Sequence, residues 1–259
     1  MLTYDFMLRA FAASGIVAVV AGAVGYFLVL RGQTFAGHAL SHVGFAGATG
    51  AALVGIGPLW GMLAFTLAAG SAMGLLGERL SGRDVAIGIV LTLALGFGLL
   101  FLNLNTATTL QATSILFGNV LAVSATMLGW LILLGVAALA ALGAIGRPLL
   151  FASLQPELAE ARGVSLRLVG TLFLAVVALA VAQSVQIVGV LLVFTLLVGP
   201  PAAAQRLTCR LWPGIALACA LGLGQAWIGI VVAYYSDWPV SFCITALSAL
   251  VYLAALVPR

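Results

Sequence analysis

The sequence predicts an all-α, polytopic membrane protein that crosses the bilayer with eight or nine helices. Hydrophobic residues make up 64% of the 259 residues and charged residues only 6%, whereas soluble domains carry about 25% charged residues. Repeated apolar runs have about 20 residues, the length that spans a hydrocarbon core as a helix. They lack the polar–apolar alternation of membrane-barrel strands. No gap between runs is long enough for a soluble core, so we expect one transmembrane domain over residues 1–259.

Nine apolar runs set the predicted order of the membrane-spanning helices. They cover roughly residues 12–30, 40–57, 59–77, 85–102, 125–146, 168–183, 186–205, 213–233 and 240–257. Between the fourth and fifth runs, residues 115–124 predict a short helix on the outer side rather than a further crossing. Membrane-embedded helices satisfy their own backbone hydrogen bonds, as a lipid environment requires.

The arginines predict the orientation of the chain in the membrane. All ten basic residues are arginines, and all except Arg9 lie in alternate breaks between the apolar runs or at the end of the sequence. Loops that carry arginine remain in the cytoplasm. We therefore expect the N-terminus outside and the C-terminus in the cytoplasm.

A short cytoplasmic helix is predicted immediately after the long fifth run. The motif comprises Pro156, Glu157, Leu158, Ala159, Arg162 and Gly163. A proline at the first position, an acid in the first turn and a base in the last turn all favour a helix, and the glycine then ends it. This helix is either a solvated loop element or a docking element for a cytoplasmic partner.

The two histidines of the chain are candidate metal ligands. His38 and His42 stand four residues apart among small and apolar residues, so both imidazoles project from the same face of a helix. Two neutral imidazoles suit a divalent ion such as Zn²⁺, and ionisable groups within a membrane mark functional sites. The alternative is that both histidines are structural and hydrogen-bond to the backbone or to neighbouring helices.

Two further pairs of polar residues are candidates for function. Gln183 and Gln186 lie near the predicted outer ends of two spans, where they either line the entrance of a pathway or hydrogen-bond between helices. Arg83 and Asp84 form a motif at the predicted cytoplasmic start of the fourth span. Asp84 either forms a salt bridge within the loop or caps that helix, or it contacts a cytoplasmic partner.

Six motifs, in order along nearly the whole chain, resemble the permease subunit of the zinc/manganese/iron class of bacterial ABC importers. They are Leu30-Arg31-Gly32-Gln33 with His38-Ala39-Leu40-Ser41-His42, Arg83-Asp84-Val85-Ala86-Ile87-Gly88-Ile89, Leu116-Phe117-Gly118-Asn119-Val120-Leu121, Pro156-Glu157-Leu158-Ala159 with Arg162-Gly163, Gln186-Ile187-Val188-Gly189-Val190-Leu191-Leu192 and Leu197-Val198-Gly199-Pro200-Pro201-Ala202-Ala203-Ala204.

The resemblance implies the partners and the location of the protein. We expect a second permease copy in a homodimer, a cytoplasmic ABC ATPase dimer, an extracytoplasmic metal-binding protein, and the lipid of a bacterial inner membrane, but no nucleic acid. The pathway is expected to run between the two permease subunits. The cytoplasmic helix at residues 156–162 is expected to couple the permease to the ATPase.

The resemblance also places a metal-contacting pair on the second span. His42 matches the histidine of the family, whereas His38 stands where many members carry an aspartate. Loss of that carboxylate removes a hard oxygen ligand and tilts the expected cargo from Mn²⁺ towards Zn²⁺. The metal is expected to be transported rather than held as a permanent cofactor.

Other functions are less compatible with the sequence. The chain contains no lysine, so it lacks the phosphate-binding motif G-x-x-x-x-G-K-[ST]; ATP hydrolysis is therefore expected on a separate subunit and the chain itself is not expected to be an enzyme. Manganese, iron and a metal chelate remain alternative cargoes. A transporter independent of ATP is disfavoured because the spans carry almost no acidic residues for ion coupling.

Overall fold

The described residues of the computed structural model, 4–76, 83–104 and 116–256, are almost entirely helical, which confirms the predicted fold class. The helices are α1 (Asp5–Leu30), α2 (Thr34–Leu53), α3 (Pro58–Leu76), α4 (Arg83–Leu104), α5 (Ala125–Leu154), α6 (Pro156–Ala161), α7 (Leu166–Val188), α8 (Val190–Leu207), α9 (Leu211–Ser236) and α10 (Val240–Leu256). A single 3₁₀ turn, Val120–Ala122, lies between α4 and α5 in the described part of that connection.

Six of these helices are long and apolar enough to cross a membrane: α1, α3, α4, α5, α7 and α9. Two more, α8 and α10, are shorter apolar helices. The remaining long helix, α2, has 20 residues but contains the two histidines and many small residues. Nine long helices in the described ranges agree with the predicted eight or nine spans.

Helices α1 and α7 form the centre of the bundle, because most of their residues are buried, whereas α4 and α5 are largely exposed along their length. Helix α1 packs against α5, α7, α8 and α9, and α7 also packs against α3. Helix α2 lies on one side of this centre, where it contacts α3, α4, α7 and α8. The candidate histidines therefore lie on a helix that packs between the central helix α7 and the exposed helix α4.

Small residues allow α2 and α3 to approach closely. A methyl group on Gly47 would collide with the carbonyl oxygen of Gly61, and a methyl group on Gly61 would collide with that of Gly47. Such close backbone contacts are typical of membrane helices, where small side chains let van der Waals packing replace a hydrophobic driving force. This contact fixes α2 against α3 on the C-terminal half of α2, beyond His42.

Four predicted boundaries were wrong. The first span was predicted to begin at residue 12 and the fifth to end at residue 146, but α1 begins at Asp5 and α5 ends at Leu154. The second span was predicted to begin at residue 40, but α2 begins at Thr34, since a window chosen for hydropathy excludes the polar first turns. A break between helices was predicted between Gln183 and Gln186. Helix α7 instead continues through both residues to Val188, and the helix ends at Gly189. Gly189 adopts φ +84°, a conformation that glycine reaches without steric cost.

The predicted outer helix at residues 115–124 is present only as the 3₁₀ turn and the residues around it, and residue 115 lies outside the described ranges. The residues before this turn contact the break between α7 and α8. A methyl group on Gly118 would collide with the backbone of Val188, and one on Gly189 would collide with the backbone of Gly118. We refer to residues 116–119 and 188–190 together as the glycine junction.

Candidate metal site

The two histidines lie on neighbouring turns of α2. Their ring centroids are 4.8 Å apart and the ring planes meet at 81°, so the four-residue spacing brings both imidazoles together as predicted. Both side chains are half-buried. The small residues around them keep the local backbone regular, and the buried hydroxyl of Ser41 donates a hydrogen bond to the carbonyl oxygen of Gly37 at 3.0 Å.

The pair lies inside its helix rather than at the end. His38 and His42 are the fifth and ninth residues of the 20-residue α2, or about 6 and 12 Å along the axis from its first residue. The predicted second run, residues 40–57, left His38 outside the span and His42 in its first turn. Because α2 begins at Thr34, both imidazoles lie within the helix, about one turn and about two turns from its first residue.

A phenylalanine from α8 completes the surroundings of His38. The ring centroids of Phe194 and His38 are 5.0 Å apart, with the planes at 68°. Phe194 is the fifth residue of α8 and is half-buried. Sequence reasoning missed this residue, because nothing local distinguishes it from the other twelve of the 13 phenylalanines.

The two histidines are the candidate metal ligands of this site. Within residues 4–76, 83–104 and 116–256, no group of three or more His, Cys, Asp or Glu side chains is placed to hold a metal ion. Two imidazoles offer two nitrogen ligands, whereas tight zinc sites in proteins use three or four protein ligands. The arrangement is suited to brief contact with a passing ion.

The two glutamines do not lie at the ends of two separate helices, as the sequence predicted. Gln183 and Gln186 are both inside α7, not at the ends of two helices. Gln183 is fully buried, and neither its Oε1 nor its Nε2 atom has a hydrogen-bond partner among the described residues. It faces α5, because a methyl group on Gly135 would lie 3.5 Å from its Oε1 atom. Gln186 is half-buried.

The short helix predicted at residues 156–162 is present as α6. Its C-terminal end is closed by hydrogen bonds from the Gly163 and Val164 N–H groups to the carbonyl oxygens of Glu160 and Ala159, at 2.9 and 3.0 Å. Gly163 adopts φ +81°, as expected for a helix stop. The remaining motif residues, Pro156, Glu157, Leu158 and Arg162, are exposed, while Ala159 is buried.

This exposure leaves an apolar side chain beside carboxylates on the surface. Leu158 is 46% exposed and the preceding Leu154 is 63% exposed, next to the exposed Glu157 and Glu160. The two leucines give this surface an apolar patch that a partner could cover, with the carboxylates at its edge.

The second loop motif begins α4. Arg83 is the first residue of that helix and Asp84 lies in its first turn. The exposed carboxylate of Asp84 lies where the helix dipole favours negative charge. Asp84 is the second residue of α4 rather than its N-cap, and its carboxylate is accessible to a partner.

Comparison with known proteins assigns the family. The ABC 3 transport family matches residues 3–259. The chain is 31% identical over 238 residues to the manganese transport system membrane protein MntC of Halalkalibacterium halodurans, covering 92% of this chain and 82% of that protein. It is 30% identical over 251 residues to the manganese import system permease protein ScaB of Streptococcus parasanguinis, covering 96% and 89%.

The fold has close structural counterparts. PsaBC from Streptococcus pneumoniae, solved in complex with Fab, matches with a TM-score of 0.86 and 27% identity over 97% of this chain and 91% of that chain. An inward-facing putative metal-chelate type ABC transporter matches with a TM-score of 0.74 at 17% identity, which shows the shared fold. The resemblance predicted from the six sequence motifs is thus confirmed, and the chain belongs to the ABC 3 transport family as a multi-pass membrane permease.

Proposed function

We propose that this chain is the permease of an ATP-driven importer of a divalent transition metal, in which His38 and His42 contact the metal as it passes. The observation that carries the proposal is the pair of imidazoles 4.8 Å apart inside α2. Ionisable side chains at this depth in a membrane bundle are costly and mark ion pathways. Two ligands permit contact without capture, which conduction requires.

Manganese is the cargo that the relatives favour. Both named relatives transport manganese, and neither the family description nor these names mention zinc. Zinc remains a second candidate because of one observation in this chain: the described site offers two imidazoles and no carboxylate, a donor set softer than Mn²⁺ prefers. Iron and a metal chelate are further candidate cargoes, and the uptake experiment below separates iron from manganese and zinc.

The energy source is proposed to be a separate ATPase that contacts α6. The chain contains no lysine and therefore no phosphate-binding loop of the usual form. Helix α6 presents Leu158 and the carboxylates of Glu157 and Glu160 on its exposed surface. We propose that these groups, with Arg162 and the Gly163 turn, form the ATPase contact, and that Arg83 and Asp84 extend it.

The complete importer is proposed to contain two copies of this chain, an ATPase dimer and an extracytoplasmic metal-binding protein, in a bacterial inner membrane. The half-buried histidine pair supports the proposal of a second permease copy. If the pairs of two copies faced each other, four imidazoles would line one pathway. Four nitrogen ligands match the coordination that zinc favours in proteins, yet each pair on its own binds loosely.

Uptake of radioactive metal into proteoliposomes tests the proposal. The liposomes contain this chain with its ATPase and loaded binding protein, and Mn²⁺, Zn²⁺ and Fe²⁺ are supplied separately. We expect His42→Ala to lower ATP-dependent uptake about tenfold or more, since loss of groups that merely support metal ligands already costs 10–100-fold. Phe35→Leu is the matched control, because Phe35 is an exposed apolar residue of the same helix.

The metal preference is read from His38→Asp. If the imidazole of His38 selects the cargo, this change raises manganese uptake relative to zinc uptake, since it restores an oxygen ligand. Unchanged uptake of all three metals in both histidine variants would contradict a role for the pair. Uptake without ATP in the wild-type complex would contradict the ATP-driven mechanism.

A further inference from the structure

Arg31 lies in the three-residue connection between α1 and α2. This connection is tightly folded: the N–H groups of Arg31, Gly32 and Gln33 donate to the carbonyl oxygens of Phe27, Val29 and Leu28 at 3.0, 3.0 and 2.9 Å. Gly32 adopts φ +63°, which permits the turn. The connection is therefore a short, hydrogen-bonded link that leads directly into α2, whose fifth residue is His38.

The guanidinium of Arg31 reaches two other helices. Its Nη1 atom donates a 2.9 Å hydrogen bond to the Oγ atom of Ser153 on α5, and its Cζ atom lies 5.7 Å from the ring centroid of Phe173 on α7. Its Nε atom contacts the Oε1 atom of Gln33 at 3.4 Å. One side chain thus connects the start of α2 to both α5 and α7.

Helices α5 and α7 precede and follow α6 in the sequence. Ser153 lies on the last turn of α5, three residues before Pro156, and α7 begins five residues after the end of α6. Helix α6 packs against both. Ser153 is held in place by its own helix, because its hydroxyl also donates to the carbonyl oxygen of Leu149. The acceptor of the Arg31 hydrogen bond therefore moves with the base of α6.

We propose that Arg31 is a positioning residue that transmits a displacement of α6 to the histidine-bearing end of α2. This inference rests on the proposed function, in which an ATPase acts on α6 and metal contacts His38 and His42. Arginine suits the task because its planar fork directs several donors at once and also stacks on an aromatic ring.

Transport stoichiometry in the assembled complex tests the inference. We expect Arg31→Gln and Ser153→Ala each to lower metal uptake per ATP hydrolysed about fivefold or more, the lower range of site-to-site coupling, while ATP hydrolysis continues. Arg31→Lys, which keeps the positive charge and can donate to Ser153 but loses the planar fork, should fall between these variants and the wild type. Arg206→Gln is the control, since Arg206 is an exposed arginine in the last turn of α8.

A double variant distinguishes a shared contact from two separate defects. If Arg31 and Ser153 act through their mutual hydrogen bond, Arg31→Gln combined with Ser153→Ala should be no worse than Arg31→Gln alone. Multiplied losses would overturn the inference. Thermal unfolding and ATPase co-purification are measured for every variant, and Ser153→Ala, which removes only one hydroxyl, carries the test if Arg31→Gln fails to assemble.

Hydrogen exchange provides a readout that needs no transported metal. In the wild-type complex, we expect vanadate trapping of the ATPase to change amide exchange in residues 31–42, and we expect Arg31→Gln and Ser153→Ala to abolish that change. A response equal to that of wild type in both variants would overturn the role of Arg31. Such a result would leave the proposed function intact if His42→Ala still blocks uptake, so the two failures are distinguishable.

Discussion

His38 contacts two aromatic rings of different chemistry. The imidazole of His42 carries metal-binding nitrogens, whereas Phe194 supplies no ligand atom and adds an apolar surface. An ion at the pair therefore gains two imidazole ligands. Its remaining ligands must be supplied by water or by groups other than the described residues. This is the residue-level reason for expecting weak, transient binding.

Gln183 of α7, like Gln225 of α9, is a buried glutamine whose amide group is unpaired within the described part of the chain. Both amide atoms of Gln183 are buried without a hydrogen-bond partner there, although hydrogen bonding between helices was the simplest alternative interpretation of this residue. A buried unsatisfied polar group costs about 1–3 kcal/mol. Its predicted role in lining the pathway stays a prediction.

Gln183→Leu is expected to stabilise the protein, because it removes the unpaired amide from a site of similar volume, with a gain of about 1–3 kcal/mol. Thermal unfolding of the detergent-solubilised chain measures the change. Gln205→Leu is the matched control and should destabilise, since the Gln205 Nε2 atom donates a 2.8 Å hydrogen bond to the Tyr26 carbonyl oxygen. A stable Gln183→Leu variant with reduced metal uptake would instead support the pathway role.

At the scale of elements, the glycine junction connects three parts of the bundle. The turn at residues 116–119 meets the break between α7 and α8, and the Ser241 hydroxyl of α10 donates a 3.0 Å hydrogen bond to the Phe117 carbonyl oxygen. Gly118 and Gly189 both have positive φ, at +74° and +84°. The contact is made by backbone atoms, so side chains have no room there.

Gly189→Ala is expected to be more damaging than Gly55→Ala. Both glycines have positive φ, so either change costs about 1–2 kcal/mol of backbone strain. Only the methyl group at position 189 also collides with the backbone of the glycine junction, whereas Gly55 has no atom within 4 Å of such a group. The collision adds about 1–3 kcal/mol, measurable as a lower unfolding temperature; equal effects of the two variants would contradict the tight junction.

At the scale of the whole molecule, the bundle has two distinct ends. One end contains Arg31, α6 and the connection with Arg210 between α8 and α9. The other contains the glycine junction and the connection with Asp237 between α9 and α10. The positive-inside rule predicts that the first end faces the cytoplasm.

Cysteine labelling tests this orientation. Cys209 is exposed in the α8–α9 connection, while Cys219 is half-buried and Cys243 is buried. A membrane-impermeant maleimide should therefore modify Cys209 only after cells are permeabilised, as read by mass spectrometry of its peptide. The Asp237→Cys variant supplies the matched position at the other end and should react in intact cells. Modification of Cys209 in intact cells would reverse the predicted orientation.

Much of the fold could be predicted because helices in a membrane are encoded locally. Apolar length predicts each span, which worked well for α3, α9 and α10. The same criterion misplaced the start of α2 and the break after α7, since polar first turns and buried glutamines lower hydropathy without ending a helix. The α6 helix was predicted closely because its proline, acids and terminal glycine act within a single turn.

The sequence by itself determined the membrane class, the order of the helices and the placement of His38 and His42 on one helix face, since all of these depend on residues within a few turns of each other. Only the tertiary structure decided that Phe194 packs on His38, that the two glycine turns meet, and that Arg31 reaches Ser153, 122 residues away. Such contacts depend on how helices pack, and packing is set by the combined shapes of many small side chains rather than by any local pattern.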